Sequence, residues 1–509
     1  MGGAAGTMGG TGGLAAGPAP GGVSGMAGAL AGPGAGGADP PGPPYPKPSI
    51  IPSIKEWIPR TGTYALSPRS RICLATRHAA SLTDRALALQ ADLQTSFGVH
   101  LNVVPTDAPA SGDIFLTLDN ADPDLGPEGY IAEISWFVTL RANTTRGLFY
   151  GTRTLLQLLK QDAGNDSIGR GTIKDFPNYP VRGFMIDVGR MPITMAWLRA
   201  YVKFMSYYKM GDLHIHLNDN FIPKPEAYVG FRLQSEAHPG LSSTDLAYSK
   251  QEYAELHALA KTYGVTIISE IDTPAHAGAI TRYRPDLRHP KLASDHLDLG
   301  NPDIYPFMDA LWDEYVGIFA QVHIGTDEYK GGDPLDMKRY MNHYNRYLKA
   351  KGFGPVRLWG SMKSIGGASG LDRDMLVHIW SKDFYLASQA IKDGYDIINT
   401  SSWWYIVPES GYNFFQDRLD PKLVYDKYEV WDITDVEKVD KNHPQLKGAT
   451  FCVWNDVWFT KRYTEMDIHD RVREPMKVFS QKMWAGGNAL DYPTFSTLCK
   501  TLGEGPGVF

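Results

Sequence analysis

The feature that most constrains the fold of this chain is a repeated alternation of short apolar runs with stretches of helical periodicity, from Val181 onward. The runs recur over roughly 270 residues, near the usual span of a (β/α)8 barrel. Such runs, with helices between them, are typical of parallel strands buried on both faces. The eight predicted strands are residues 183–188, 213–217, 265–271, 322–326, 356–359, 376–380, 396–399 and 449–454.

An open, doubly wound sheet is the alternative fold. It requires a glycine-rich phosphate loop after an early strand, and none follows the first runs. The segment 362–370 is a poor helix, so the connection after the fifth run is the uncertain one. We therefore expect an α/β protein whose (β/α)8 TIM barrel is preceded by a smaller α/β domain.

Four segments are expected along the chain. Residues 1–46 are mostly Gly, Ala and Pro and predict a disordered tail or linker. Residues 47–175 contain strand-like runs and a strongly amphipathic helix at 145–160, but few clustered catalytic groups, which indicates a support domain. Residues 176–490 are the expected catalytic barrel, and residues 491–509 a C-terminal tail.

Composition narrows the class of protein. The net charge is -6 with acids and bases interspersed, so nothing resembles a nucleic-acid footprint. The three cysteines are few and widely spaced, which argues against a disulfide framework or a zinc site. No run approaches the roughly 18 apolar residues of a membrane helix. The first basic residue is Lys47, so a signal peptide is not recognisable. The protein is either cytoplasmic, or its true start is missing or unusual.

Polar and aromatic residues collect at the C-terminal ends of the predicted strands, the end at which barrel enzymes build their active sites. Several tryptophans on one rim suit a sugar site, because indole faces pack on pyranose rings while acids, Arg and His bind hydroxyls. A single Trp is as often part of the core. The residues at these ends are Asp187, Arg190, Asn218, Asp219, Asn220, Glu270, Asp272, His276, Asp327, Glu328, Trp359, Trp380, Tyr405, Trp454, Asn455 and Asp456.

Two adjacent carboxylates, Asp327 and Glu328, end the fourth run. Most glycosidases place two carboxylates on opposite sides of the scissile bond, which neighbours in sequence cannot easily do. One can protonate the leaving oxygen while the other lies beside the sugar ring. The pair therefore fits a reaction whose nucleophile belongs to the substrate, although a solvated pair remains the alternative.

Other candidate residues have structural alternatives. His214 and His216 share one face of a strand, a spacing also found in metal hydrolases. We favour interior packing for both, since no further histidine cluster lies at another strand end. Arg182 has the alternative of a structural ion pair, and His276 that of a satisfied loop histidine.

Four ordered motifs resemble those of glycoside hydrolase family 20, the β-N-acetylhexosaminidases. Residues 182–190 look like its Arg-Gly-x-x-x-Asp-x-x-Arg, and 214–220 like its His-x-His-x-x-Asp-Asp. Residues 270–276 look like Glu-Ile-Asp-x-Pro-Gly-His, and 323–328 like His-x-Gly-Gly-Asp-Glu. The resemblance covers about residues 60 to 485, including an N-terminal domain with Arg-Gly-Leu-Phe-Tyr-Gly at 146–151.

The resemblance implies a retaining exo-glycosidase that releases terminal β-linked N-acetylhexosamine through an oxazolinium intermediate formed by the substrate's own acetamido group. It implies no metal and no organic cofactor, an oligosaccharide or glycoconjugate as partner, and secretion. In a desolvated site Glu328 would be the acid and then the base, Asp327 would orient the acetamido N–H, and Tyr405 would bind its oxygen. The implied substrate-binding residues are Arg182, Asp219, His276, Trp359, Trp380 and Trp454.

The chain departs from the family pattern at four positions. Thr326 replaces the second Gly, Asn220 the second Asp and Ala275 the Gly before His276. Val407 stands where the family often has an Asp that closes the pocket over the terminal sugar.

The last change opens the pocket beyond one sugar. The alternative function is therefore that of a lacto-N-biosidase, which releases a Gal-GlcNAc disaccharide whose galactose Asp456 would contact. Two further alternatives fit less well: a catalytically inactive glycan-binding protein, and a metal-dependent barrel hydrolase suggested only by His214 and His216.

Overall fold

The structure is a computed structural model that describes residues 42–119, 122–221, 224–434 and 437–508. Most of the predicted disordered tail, residues 1–46, lies outside the described residues. Residues 42–46 have no regular secondary structure and are exposed.

The N-terminal domain is one seven-stranded mixed sheet with two helices. Its strands follow the order β1-β7-β5-β6-β4-β2-β3 across the sheet. Burial alternates along β5 and β6, as expected of strands with one face on the core. The strands are β1 Glu56–Ala65, β2 Arg71–Leu74, β3 Asn102–Pro105, β4 Ile114–Thr117, β5 Tyr130–Ile134, β6 Val138–Ala142 and β7 Ser167–Asp175, and the helices are α1 Ala79–Phe97 and α2 Thr145–Lys160.

The remaining chain contains a closed parallel barrel of eight strands. Around the barrel these are β12, β13, β14, β15, β16, β19, β8 and β9. The strands of this part are β8 Val181–Asp187, β9 Asp212–His216, β10 Asn218–Asn220, β11 Val229–Phe231, β12 Thr266–Thr273, β13 Gln321–Gly325, β14 Arg357–Trp359, β15 Leu376–Ile379, β16 Asp396–Asn399, β17 Asp432–Ile433, β18 Glu437–Lys438 and β19 Leu446–Val453.

The expected fold is confirmed, because each of the eight predicted runs overlaps one barrel strand. These strands are almost wholly buried, since helices cover the outside and packed side chains fill the inside. The extra strands form two small antiparallel pairs, β10 with β11 and β17 with β18.

Helices cover the barrel between most strands. Capping boxes start α4 at Ser249 and α11 at Thr464. The connection after β14 is a short 3-10 helix, Met362–Ile365, at the segment whose sequence is a poor helix. The helices are α3 Met195–Tyr207, α4 Lys250–Thr262, α5 Gly278–Tyr283, α6 Ile304–Asp313, α7 Pro334–Ala350, α8 Ala387–Lys392, α9 Pro421–Lys427, α10 Trp458–Lys461, α11 Glu465–Ser480 and α12 Tyr492–Leu502.

The prediction of a C-terminal tail at residues 491–509 is wrong for most of its length. Helix α12 forms there, with its N-cap at Asp491. Phe495, Leu498, Cys499 and Leu502 recur at helical spacing and are buried against the core. This burial gives the helix a packing partner.

Within the described ranges, every helix falls short of the length and apolarity that crossing a bilayer requires.

Arg182 lies at the contact between the barrel and the N-terminal domain. It is 0% exposed and donates two hydrogen bonds, of 2.7 and 2.9 Å, to the carboxylate of Glu128. Its Nε donates to the carbonyl of Lys209 at 2.9 Å. Burial alone would raise the pKa of Glu128, but Arg182 and Arg146 lower it, so the carboxylate stays charged. The structural alternative for Arg182 is therefore the correct one.

Arg182 does not reach the end of the barrel where a substrate would bind. It is the second residue of β8, five residues before the strand ends at Asp187. At about 3.3 Å per residue, that separation is roughly 16 Å. The prediction that it binds a sugar is wrong, because only the C-terminal ends of parallel barrel strands meet at the site.

Replacing Arg182 with Met tests the role of this ion pair. We expect the free energy of unfolding to fall by about 3 kcal/mol, because Glu128 loses its main partner while buried. Urea denaturation followed by tryptophan fluorescence measures the change.

Arg346→Met is the matched control, since Arg346 is exposed and its ion pair with Asp372 is expected to contribute little to stability. Equal stability of the two variants would contradict a stabilising ion pair at the domain contact.

Candidate active site

A cavity of about 330 Å³ opens at the C-terminal ends of the barrel strands. Eight of the ten predicted site residues line it. Arg182 and Asp219 do not, and Asp219 lies buried behind the wall. The lining residues are Arg190, His276, Asp327, Glu328, Trp359, Trp380, Tyr405, Tyr412, Phe414, Phe415, Trp454 and Asp456.

The two adjacent carboxylates have different surroundings. The side chain of Asp327 is 13% exposed, whereas that of Glu328 is 42% exposed. The expected desolvation of Glu328 is therefore not observed. His276 lies between them, with its Nε2 3.7 Å from Asp327 Oδ2 and 3.7 Å from Glu328 Oε2. One imidazole thus faces both acids.

Asp219 holds His276 in place from behind. Its Oδ1 lies 3.0 Å from His276 Nδ1, and its Oδ2 lies 2.7 Å from Arg190 Nη1. Burial would raise the pKa of Asp219, but Arg190 and His276 outweigh burial and lower it. Burial would lower the pKa of His276, but Asp219 and Asp327 raise it well above its ordinary value. The result is a charged imidazolium aimed at the two catalytic candidates.

Two carboxyl groups in the cavity have pKa values near neutrality. Burial raises the pKa of Asp327 to about 6, with Glu328 adding to the rise and His276 opposing it. Burial likewise raises the pKa of Asp456 to about 6, and Arg190 opposes this rise from 3.5 Å. Displaced pKa values in a cleft are typical of functional sites.

Three tryptophans form walls of the cavity. The rings of Trp359 and Trp454 lie 5.7 Å apart, and the ring of Trp380 lies 4.3 Å from that of Phe384. Trp359 is 1% exposed, and its Nε1 donates a 2.6 Å hydrogen bond to Glu270 Oε1. Its orientation is therefore fixed by the barrel interior.

Tyr405 closes the floor between the tryptophans. It is 4% exposed and packs in an apolar cluster with Trp359, Val407 and Cys452. Burial raises its pKa well above the ordinary value, so the phenol keeps its proton at neutral pH. The hydroxyl is thus a hydrogen-bond donor beside the cavity.

The predicted interior packing of His214 and His216 agrees with their contacts. His214 Nε2 and His216 Nδ1 lie 2.9 and 2.6 Å from Glu270 Oε2. Glu270, His214 and His323 are close enough to share a cation, as are two other buried groups around Asp272. We assign the atoms of Glu270 to the hydrogen bonds, because His214, His216 and Trp359 already occupy both carboxylate oxygens.

Four cavity residues were not among the predicted catalytic or substrate-binding residues, although Arg190 was placed at a strand end. Arg190 ends the motif that begins at Arg182. Its position three residues after the end of β8 could have indicated that it reaches the cavity, because active sites lie beyond the C-terminal ends of barrel strands. Tyr412, Phe414 and Phe415 lie in an irregular loop after β16, where no periodicity marks an inward side chain. Phe414 is 66% exposed and stacks on Tyr412 at 5.2 Å.

Known proteins with similar sequences include a lacto-N-biosidase and a β-hexosaminidase. A lacto-N-biosidase from Bifidobacterium bifidum is 25% identical over 470 residues, covering 86% of this chain and 40% of that protein. A β-hexosaminidase from Akkermansia muciniphila is 34% identical over 217 residues, covering 37% of this chain and 42% of that protein. The chain thus spans less than half the length of these two relatives.

Solved structures share the fold at low sequence identity. A β-N-acetylhexosaminidase from Streptomyces coelicolor aligns over 91% of this chain and 96% of its own, with a TM-score of 0.74 and 20% identity. An exo-β-N-acetylglucosaminidase from Vibrio harveyi, in complex with N-acetylglucosamine, aligns over 93% and 79% with a TM-score of 0.72 and 19% identity.

Family assignment rests on two consecutive matches. Residues 47–176 match domain 2 of glycosyl hydrolase family 20. Residues 179–484, more than half of the chain, match the catalytic domain of that family. The chain therefore belongs to glycosyl hydrolase family 20.

Proposed function

We propose that the protein hydrolyses the glycosidic bond of a terminal β-linked N-acetylhexosamine with retention of configuration, using the substrate's acetamido group as nucleophile. The observation that carries this proposal is the adjacent pair Asp327 and Glu328, both facing His276 in a tryptophan-walled cavity. Neighbouring carboxylates do not flank a sugar from opposite faces as in ordinary two-carboxylate hydrolysis. Family membership supports the same chemistry.

In the first step the acetamido oxygen attacks C1 of the sugar, and the bond from C1 to the leaving oxygen breaks. Glu328 gives its proton to that oxygen. Asp327 accepts a hydrogen bond from the acetamido N–H and stabilises the positive charge that develops on the oxazolinium. Tyr405, which keeps its proton, donates to the acetamido oxygen and aligns it for attack.

In the second step a water molecule attacks C1 from the face that the leaving group vacated. Glu328, now a carboxylate, takes a proton from that water, and the bond from C1 to the acetamido oxygen breaks. The acetamide re-forms and the β-configuration is retained. The exposed side of Glu328 supports this double role, since it leaves access for both leaving group and water.

Arg190 and Asp456 are the groups we assign to the sugar hydroxyls, in place of Arg182. Both line the cavity, and they lie 3.5 Å apart. Asp219 and His276 position the acid pair, and the positive charge of His276 offsets the negative charge of Asp327 and Glu328. Trp359, Trp380 and Trp454 enclose the ring and the acetamido methyl group.

Replacement of Glu328 by Gln tests the acid/base role. We expect kcat/KM on chitobiose to fall by about 10²- to 10⁴-fold, the usual contribution of a general acid. The loss on p-nitrophenyl N-acetyl-β-glucosaminide should be smaller, because that leaving group needs less protonation.

Glu255→Gln, which changes an exposed glutamate on α4, is the matched control and should retain full activity. Equal activity of Glu328→Gln and the unmodified protein on chitobiose would refute the assignment.

The pKa of Asp327, near 6, predicts an acidic limit of activity. Below this pH the carboxylate gains a proton and can no longer stabilise positive charge, so kcat/KM should fall about tenfold per pH unit. Steady-state kinetics between pH 4 and 8 measure the profile.

Asp327 and Asp456 have similar pKa values, and two variants show which of them causes the loss of activity at acidic pH. Asp456→Asn should keep the fall in kcat/KM below pH 6, whereas Asp327→Asn should lose this fall together with most of the activity. A fall that persists in Asp327→Asn would assign it to another group.

A second candidate is release of a disaccharide by lacto-N-biosidase activity. Val407 is buried and apolar where the family often has a closing Asp, and Tyr412, Phe414 and Phe415 extend the wall beside it. Exposed aromatic faces of this kind bind a further pyranose ring. The similarity to the Bifidobacterium bifidum lacto-N-biosidase supports this candidate.

Substrate size is tested with p-nitrophenyl β-GlcNAc, β-GalNAc and lacto-N-bioside assayed side by side. If the disaccharide candidate is right, Phe414→Ala should lower kcat/KM for lacto-N-bioside about tenfold, the loss of one stacking contact, and leave monosaccharide release within twofold.

Trp136→Ala, which removes an exposed ring from the N-terminal domain, is the control. Release from the disaccharide substrate alone would overturn the monosaccharide proposal, and release from the monosaccharides alone would overturn the second candidate. An extracellular location stays a prediction.

A further inference from the structure

The backbone that carries the acid pair has an unusual conformation. Gly325, Thr326 and Glu328 have φ angles of +72°, +85° and +49°. Glycine adopts this left-handed region freely, but a β-branched residue such as Thr is strained there. Thr326 also stands where the family motif has glycine, so this chain carries a strain that the motif avoids.

Two hydrogen bonds hold Thr326 in this conformation. Its backbone N–H donates to the carbonyl of Thr273 at 3.1 Å, and its hydroxyl Oγ1 donates to the carbonyl of Trp359 at 3.1 Å. The residue is 0% exposed, so water does not compete for either bond. The hydroxyl therefore joins the end of β13 to the end of β14.

Both ends of this hydroxyl bond belong to the site. Asp327 follows Thr326 directly in the chain. On the other side, Trp359 walls the cavity, and its indole is fixed by the hydrogen bond to Glu270. A glycine at position 326 would allow the same backbone without the link. The hydroxyl thus adds a direct link between the backbone that carries Asp327 and the backbone that carries the indole wall.

We propose that Thr326 is a positioning residue: its hydroxyl fixes Asp327 against the Trp359 wall, so that the carboxylate meets the acetamido N–H. This inference rests on the proposed substrate-assisted reaction. It assigns a function to a departure from the family motif.

Three variants separate the hydroxyl from the shape and the strain. Thr326→Ser keeps the hydroxyl, Thr326→Val keeps the branched shape without it, and Thr326→Gly removes both hydroxyl and strain. The readout is the inhibition constant of a thiazoline analogue of the cyclised N-acetylhexosamine, compared with that of N-acetylglucosamine. An inhibition constant does not depend on the fraction of enzyme that is folded.

We expect Thr326→Val and Thr326→Gly to weaken binding of the thiazoline roughly tenfold, the effect of one lost hydrogen bond, and kcat to fall in parallel. Thr326→Ser should stay within about twofold on both measures. Inhibition by N-acetylglucosamine should change less than threefold in all variants, because its acetamido group is neutral and gains less from the Asp327 carboxylate than the positively charged cyclised group does.

Thr152→Val is the matched control, since it removes a buried hydroxyl that donates to the carbonyl of Phe149 in the N-terminal domain. It should not change inhibition by the thiazoline. Thr326→Val that binds the thiazoline as tightly as the unmodified protein, or Thr326→Ser that is as impaired as Thr326→Val, would overturn the inference. If the unmodified protein neither cleaves N-acetylhexosaminides nor binds the thiazoline, the proposed function itself fails.

Discussion

The position of the tryptophan wall depends on the hydrogen bonds that the buried carboxylate of Glu270 accepts. This residue is 0% exposed and lies at the centre of the barrel interior. Glu270 belongs to β12, and its carboxylate is hydrogen-bonded to His214 and His216 on β9 and to Trp359 on β14. An isolated buried charge costs several kcal/mol, so each of these partners is needed. The hydrogen bond from Trp359 also fixes the orientation of this indole in the cavity wall. A contact that the fold needs to stabilise a buried charge therefore also shapes the site.

A hydrogen-bond network extends from this carboxylate to His276, whose ring faces the acid pair. His216 bonds to Glu270 through Nδ1 and to Asp219 through Nε2, at 2.6 and 2.8 Å. Asp219 then bonds to His276, whose Nε2 faces Asp327 and Glu328. Acidic and basic groups alternate along the network, so each charge stabilises the next. The orientation of His276 is thereby set by the barrel interior rather than by its loop.

The fold and much of the site could be predicted because their signals are local. Strands buried on both faces appear in the sequence as short apolar runs, and all eight were found. A carboxylate pair that ends such a run must lie at the C-terminal rim if the barrel forms. For this reason the sequence alone places Asp327, Glu328 and Trp359 at one rim of the barrel.

The sequence by itself determined the eight strands, the supporting domain and the acid pair, because hydrophobic periodicity and strand ends depend only on residues that are close together in the chain. Only the tertiary structure decided that Arg190 and not Arg182 faces the cavity. Arg182 lies near the start of β8 and Arg190 follows its end, so the two residues lie at opposite ends of the barrel. The tertiary structure also decided that the loop holding Tyr412 and Phe414 extends the cavity, and that residues near Phe495 form a packed helix. These outcomes depend on contacts between segments far apart in the chain, which no local pattern specifies.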